Sequence, residues 1–190
     1  MLAIQGGFQA HCEVLRELGA DASEVRLPAD LEGLDGLVIP GGESTTISMG
    51  IESAGLAEPI GALRDRGGTI FGTCAGMIVC DEAHLGLIDA ATERNAFGRQ
   101  LQSFEADLQI EGIGDEPLRG VFIRAPQVAR CGPAVEILAS YEDRPVAIRE
   151  GGVLACAFHP ELTGDPRLHA LFMAMTTSAR ESRAREEAET

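Results

Sequence analysis

Three stretches of this chain carry residues whose types and spacing can do chemistry. Gly72-Thr73-Cys74-Ala75-Gly76 has the pattern of a nucleophile elbow, with glycines permitting a sharp strand-to-helix turn that lifts the central side chain above the sheet edge. Here the central side chain is a thiol, and a helix N-terminus favours its thiolate. A structural cysteine packed between two glycines fits the same five residues, so its partners must decide. They come late in the chain, where the apolar run Val153 to Phe158 ends in His159-Pro160-Glu161. In extended backbone, positions i and i+2 point the same way, which sets a carboxylate beside an imidazole as base and orienter. Taken singly, His159 reads as a strand-end histidine and Glu161 as a loop carboxylate. Joined to a cysteine elbow, they favour covalent catalysis.

Two further stretches can serve the same site. Pro40-Gly41-Gly42-Glu43 follows a buried apolar run, and glycine-rich backbone there, together with the Ala75 amide, can aim N–H groups at an oxyanion. Glycine pairs also make ordinary strand-to-helix turns. Arg99, in the polar stretch Asn95 to Gln100, offers a planar fork for a substrate carboxylate, whereas alone it is a surface arginine. His11, His84 and His169 form no ligand set and are read as structural or surface residues. Cys12, Cys80, Cys131 and Cys156 sit in apolar or turn contexts and are expected to be inert.

The elements that must position these residues alternate in the first half. Leu2 to Ile4, Val25 to Leu27, Gly36 to Ile39 and Thr69 to Phe71 are short apolar strands. Helices are expected from Phe8 to Leu18, after Ser44-Thr45, from about Pro59 to Arg66, and after Gly76. That alternation predicts an α/β fold of three layers, a mostly parallel central sheet with helices on both faces. The second half supplies a smaller antiparallel section, with strands near Phe104 to Ile110, Val121 to Ile123, Val135 to Ala139 and Val146 to Ile148. A hairpin turn at Gly151-Gly152 leads into the strand before His159, and Asp165-Pro166 opens a last helix. Residues 1–177 are expected to form one domain. The charged stretch 178–190 has no apolar face and is expected to be a frayed or disordered tail.

Composition narrows the function class. The chain has 190 residues and a formal net charge of −15, which disfavours nucleic acid and anionic membrane surfaces as partners. No run is long and apolar enough to span a membrane or serve as a signal peptide. Five cysteines without a C-x-x-C pair argue against a disulfide framework or structural zinc, and a reducing cytoplasm is expected. Every basic residue is arginine, so the chain cannot form a lysine Schiff base or supply a P-loop lysine.

These residues resemble those of class I (triad) glutamine amidotransferases, and more narrowly the glutaminase subunits of two-component pyridoxal 5′-phosphate synthase. The matching stretches are PGGESTT (40–46), FGTCAGM (71–77), RNAFGRQ (94–100), SFEADL (103–108), FIRAP (122–126) and FHPELTGD (158–165). They extend over nearly the whole chain except the tail. The elbow and His-Pro-Glu are shared by many amidotransferases, while PGGESTT, SFEADL and FIRAP are specific to the vitamin B6 branch. The glutaminase of imidazole glycerol phosphate synthase, an alternative, typically continues His-Pro-Glu with Lys-Ser, where this chain has Leu162-Thr163.

The resemblance implies a flavodoxin-like fold and a glutaminase needing no cofactor or metal. Cys74 would attack the side-chain amide of L-glutamine, His159 would shuttle protons and Glu161 would orient His159. The Gly42 and Ala75 amides match the oxyanion positions. Gly41, Gly42, Glu43, Arg99, Ile123 and Arg124 match the glutamine-binding positions. Ammonia would pass to a separate barrel-fold synthase subunit in a hetero-oligomer, which fits a chain without lysine. The family's first strand usually opens a few residues earlier, so a shortened first strand is expected, with Gln5 near the synthase contact. A cysteine hydrolase of the same elbow type is the other alternative. Against it, α/β-hydrolases place the acid between nucleophile and histidine, whereas here the acid follows His159.

Overall fold

The computed structural model describes residues 1–94 and 103–188. In chain order the elements are α1 (Phe8–Glu17), β1 (Gly36–Ile39), α2 (Ser44–Ser53), α3 (Ala57–Asp65), β2 (Thr69–Thr73), α4 (Ala75–Cys80), β3 (Ala90–Glu93), β4 (Ser103–Leu108), β5 (Leu118–Ile123), β6 (Gln127–Cys131), β7 (Glu136–Tyr141), β8 (Arg144–Glu150), β9 (Val153–Cys156) and α5 (Arg167–Ala188). Short 3₁₀ turns occupy Pro28–Leu31 and Pro160–Leu162.

The central sheet has the order β1-β2-β9-β8-β7. It is parallel through β1, β2 and β9, then antiparallel onto β8 and β7. Every residue of β2 and β9 is buried, as apolar strands covered on both faces must be. Successive β2 side chains point to opposite faces, and their contacts identify the layers. Phe71 meets His11 of α1 and His169 and Phe172 of α5. Gly72 faces α4, where an added Cβ would lie 2.6 Å from the Gly76 carbonyl oxygen and 2.9 Å from the Cys80 sulfur. Helices therefore cover both faces, as expected. The antiparallel section consists of the β7–β8 edge and two separate ribbons, β3–β6 and β4–β5.

Several expectations are corrected. Leu2 to Ile4 and Val25 to Leu27 form a single parallel bridge, Leu2 to Val25, rather than two strands. Leu2 N–H donates to Val38 O at 2.9 Å, so this bridge still extends the sheet beyond β1 before the chain turns away at Gly6. Strands β3 and β6 were not foreseen, because Gln127–Cys131 buries one residue of five and shows no alternation. Within the charged stretch expected to be a frayed or disordered tail, residues 178–188 are helical, since α5 continues to Ala188. Arg183 explains this: its guanidinium reaches Asp35 Oδ1 and the Gly67 carbonyl, both at 2.6 Å, and ties the far end of the helix to the body. Arg, Glu and Ala are good helix formers, so one such anchor suffices without an apolar face.

Candidate active site

Strand β2 delivers Cys74 to the carboxyl end of the sheet. The residue adopts φ 49°, ψ −108°, a strained conformation for a side chain of this kind and the mark of a sharp elbow. Its amide donates to Cys156 O at 2.8 Å, fixing the turn to β9, and its carbonyl accepts from Met77 N at 3.1 Å to begin α4. Gly72 and Gly76 let strand and helix meet closely enough for this turn. The Cys74 thiol lies 3.8 Å from the Ile123 carbonyl oxygen. Cys80 and Cys156 are poor nucleophiles: burial pushes the Cys80 thiol up to about 12 and Cys156 well above its ordinary value.

His159 follows β9, its amide held by Val121 O at 2.8 Å. Its Nδ1 sits 2.8 Å from Glu161 Oε1. The pairing foreseen from extended i, i+2 geometry is present, but its cause differs. Pro160 starts a 3₁₀ turn with His159 as its N-cap, and that turn swings Glu161 back beneath the ring. Burial alone lowers the basicity of His159; hydrogen bonds with Cys74 and Glu161 outweigh it and raise the pKa to about 10. Burial alone raises Glu161, whereas the hydrogen bond from His159 outweighs it and keeps the carboxyl below its usual range. The pair is therefore an imidazolium against a carboxylate at neutral pH.

The glycine turn lies directly over this pair. A Cβ on Gly41 would stand 2.5 Å from His159 Cε1 and 3.2 Å from Cys74 Cβ. Gly41 N–H donates to Thr73 Oγ1 at 3.0 Å. Ala75, first residue of α4, carries an amide with no partner inside the helix. Glu43 caps α2: its carboxylate accepts from Thr45 N at 3.1 Å and from Thr46 N and Thr46 Oγ1, each at 2.8 Å. The Thr46 hydroxyl and the two amides lower its pKa to about 2. The carboxylate of this glutamine-binding position is thus already engaged with the helix, and the Glu43 amide is bonded to Gln5 Oε1 at 2.8 Å.

These groups open into a cavity of about 520 Å³, a size suited to a small polar metabolite. Gly41, Gly42, Glu43, Cys74 and Ala75 line it, together with Ile123, Arg124, His159 and Glu161. Arg124 holds φ 46°, in the left-handed region. Arg99 lies outside the described residues. Arg94 does line the cavity, with Nη1 2.9 Å from Thr45 Oγ1. Sequence reasoning missed it, and also missed His11 and His169. Both histidines are fully buried, and His11 Nε2 lies 3.3 Å from Glu161 Oε2. Their partners are distant in the chain, so no local pattern could have marked them.

A cysteine elbow and a histidine held by an adjoining glutamate thus line one cavity. The model of the SNO glutamine amidotransferase family matches residues 1–178. The chain belongs to that family. As a glutamine amidotransferase it has near relatives of matching length. It is 49% identical over 187 residues to the pyridoxal 5′-phosphate synthase subunit PdxT of Geobacillus kaustophilus, covering 95% of each chain. It is 51% identical over 184 residues to the same subunit of Thermus thermophilus, covering 92% of this chain and 95% of the relative. A crystal structure of a glutamine amidotransferase superposes with a TM-score of 0.88 at 47% identity, covering 93% and 97% of the two chains. The PurLQS structure from Thermotoga maritima, at 18% identity and TM-score 0.75, shares the fold with this amidotransferase.

Proposed function

We propose that Cys74, His159 and Glu161 are the catalytic triad with which this chain, a glutaminase subunit of pyridoxal 5′-phosphate synthase, hydrolyses L-glutamine. The observation that carries the reading is His159, with its ring 2.8 Å from Glu161 Oε1, lining one cavity with Cys74 at the elbow. The His159 ring holds the proton given up by the thiol, and Cys74 Sγ attacks the side-chain carbonyl carbon. The oxyanion is received by the Gly42 and Ala75 amides. His159 returns the proton to the departing nitrogen, ammonia leaves, and a γ-glutamyl thioester remains. Water activated by the same ring then releases glutamate. Glutamine is held by Gly41, Gly42, Glu43, Arg99, Ile123 and Arg124. The contribution of Glu43 is its placing of the α2 terminus, since its carboxylate caps that helix and its amide is bonded to Gln5.

Ammonia in neutral water is mostly protonated and no longer nucleophilic, so it is handed directly to a barrel-fold synthase subunit that builds pyridoxal 5′-phosphate from pentose phosphate and glyceraldehyde 3-phosphate. The names of the relatives support this partner over imidazole glycerol phosphate synthase. Activity is gated by that partner: the glycine turn shifts a peptide to complete the oxyanion site when the interface forms near Gln5. All five cysteines are free, as a reducing cytoplasm keeps them.

The test is glutamate release from glutamine across a titration with the synthase subunit. Release should rise strongly with added partner, and Cys74→Ala should abolish it by several orders of magnitude. A glutamine analogue with an electrophilic side chain should label Cys74 and no other cysteine. Labelling elsewhere, or full turnover by the isolated chain unchanged across the titration, would overturn the assignment.

A further inference from the structure

Glu161 uses one carboxylate oxygen to hold His159. The other, Oε2, is buried and has no conventional hydrogen-bond partner, a costly state for a carboxylate. His11 Nε2 lies 3.3 Å from it. The same nitrogen lies 3.1 Å from Thr73 Oγ1, which in turn accepts the Gly41 amide at 3.0 Å. On its other side, His11 Nδ1 is 2.8 Å from His169 Nε2.

Which nitrogen carries the proton follows from counting hydrogens. Burial lowers both rings to about 4, so each is neutral at physiological pH and has a single N–H. The short His11–His169 contact contains one hydrogen. If it sat on His11 Nδ1, a lone pair on His11 Nε2 would face the charged Glu161 oxygen. His169 would then have to carry its hydrogen on Nδ1, which is buried without a partner. An orphaned buried N–H is rarer and costlier than an orphaned acceptor. With the hydrogen on His169 Nε2, both faults vanish. His169 donates to His11 Nδ1, and His11 Nε2–H donates to Thr73 Oγ1 while presenting its positive edge to Glu161 Oε2, 3.3 Å away.

We infer that His11 is a positioning residue for the reaction: its Nε2–H holds the second oxygen of Glu161 and, through Thr73, fixes the glycine turn that lies against His159. The inference rests on the triad reading above. Contacts run in a closed ring, from His11 to Glu161, to His159, to Gly41, to Thr73 and back. Base orientation and the glycine turn are thereby set by one imidazole on α1, backed by another on α5.

Two polar substitutions separate this role from simple packing. In His11→Asn the side-chain amide reaches the Nδ1 position, keeps the link to His169 and leaves nothing at Nε2. In His11→Gln the amide nitrogen reaches the Nε2 position and restores a donor to Glu161 while giving up the link to His169. Both are assayed as the complex with the synthase subunit, with melting temperatures measured alongside. Wild-type turnover and its loss in Cys74→Ala first establish the triad; failure there refutes the triad and not the role of His11. His11→Asn should then lower kcat by about ten- to a hundred-fold with KM for glutamine unchanged, the cost of a base displaced by up to about 1 Å. His11→Gln should stay within about three-fold of wild type. Equal kcat in the two folded variants, or a faster His11→Asn, would overturn the inference. If His11→Asn does not fold while His11→Gln does, the comparison passes to Thr73→Val in the complex. That variant keeps β-branched bulk, removes the bridge to Gly41 and should lower kcat at constant KM; unchanged kcat there also overturns the inference.

Discussion

Adding one methyl group at Gly41 tests whether the glycine turn and the base share a single tight geometry. Gly41 is absent from the positive-φ glycines, so alanine meets no backbone strain and the effect is read from the side chain alone. The new Cβ would lie 2.5 Å from His159 Cε1, 3.0 Å from Nδ1 and 3.2 Å from Cys74 Cβ. Carbon atoms rest at about 3.5–4.0 Å, so the ring must retreat by about 1 Å. It has no free path, because Glu161 Oε1 holds Nδ1 at 2.8 Å. A displacement of about 1 Å costs about a hundred-fold in rate, or about 2.7 kcal/mol in the barrier. Glutamate release by the Gly41→Ala complex with the synthase subunit should show that loss mainly in kcat. Alkylation of Cys74 by iodoacetamide, which needs no glutamine pocket, should slow as well, since the displaced ring no longer takes the thiol proton. A folded Gly41→Ala protein with kcat within about three-fold of wild type, and unchanged alkylation, would refute the reasoning.

Two other outcomes can be checked more briefly. His11 and His169 both fall to about 4 in the folded chain, against about 6.5 when unfolded, so the unfolded chain binds more protons between those values and stability must fall as pH drops from about 6.5 to 4. A single ring shifted by about 2.5 units accounts for about 3 kcal/mol of that loss. Urea midpoints from pH 7 to 4.5 should decline in wild type and flatten in His11→Gln/His169→Gln; parallel slopes would count against neutral buried rings. Arg99→Lys should raise KM for glutamine more than it lowers kcat, because a point charge does not reproduce a planar fork, and unchanged kinetics in Arg99→Ala would make that arginine a surface residue.

What the sequence disclosed depended on range. The elbow around Cys74 was legible because a strand, two glycines and a helix start lie within a few residues. His159 and Glu161 were legible for a partly mistaken reason: adjacency was right, while Pro160 replaced the extended geometry by a 3₁₀ turn. The capping role of Glu43 was not legible, because capping is not visible until the Thr45 and Thr46 amides are placed in a helix. His11 looked inert because its neighbours Thr73, Glu161 and His169 come from three other parts of the chain. The tail was misjudged for the same reason, since composition could not reveal that Arg183 meets Asp35.

The parallel pairing of β2 with β9 has a consequence for the timing of synthesis. Thr73 finds its register partner Cys156 only after most of the chain has been made, and His159 follows that strand immediately. A ribosome releases the elbow long before His159, so the emerging polypeptide carries Cys74 with β1 beside its strand but without β9, whose Cys156 carbonyl fixes the turn. The last helix, bearing His169, comes later still. On the triad proposed above, a translation product that stalls or is clipped before β9 is chemically silent toward glutamine, and hydrolytic capacity arrives in one step with the closing of the sheet.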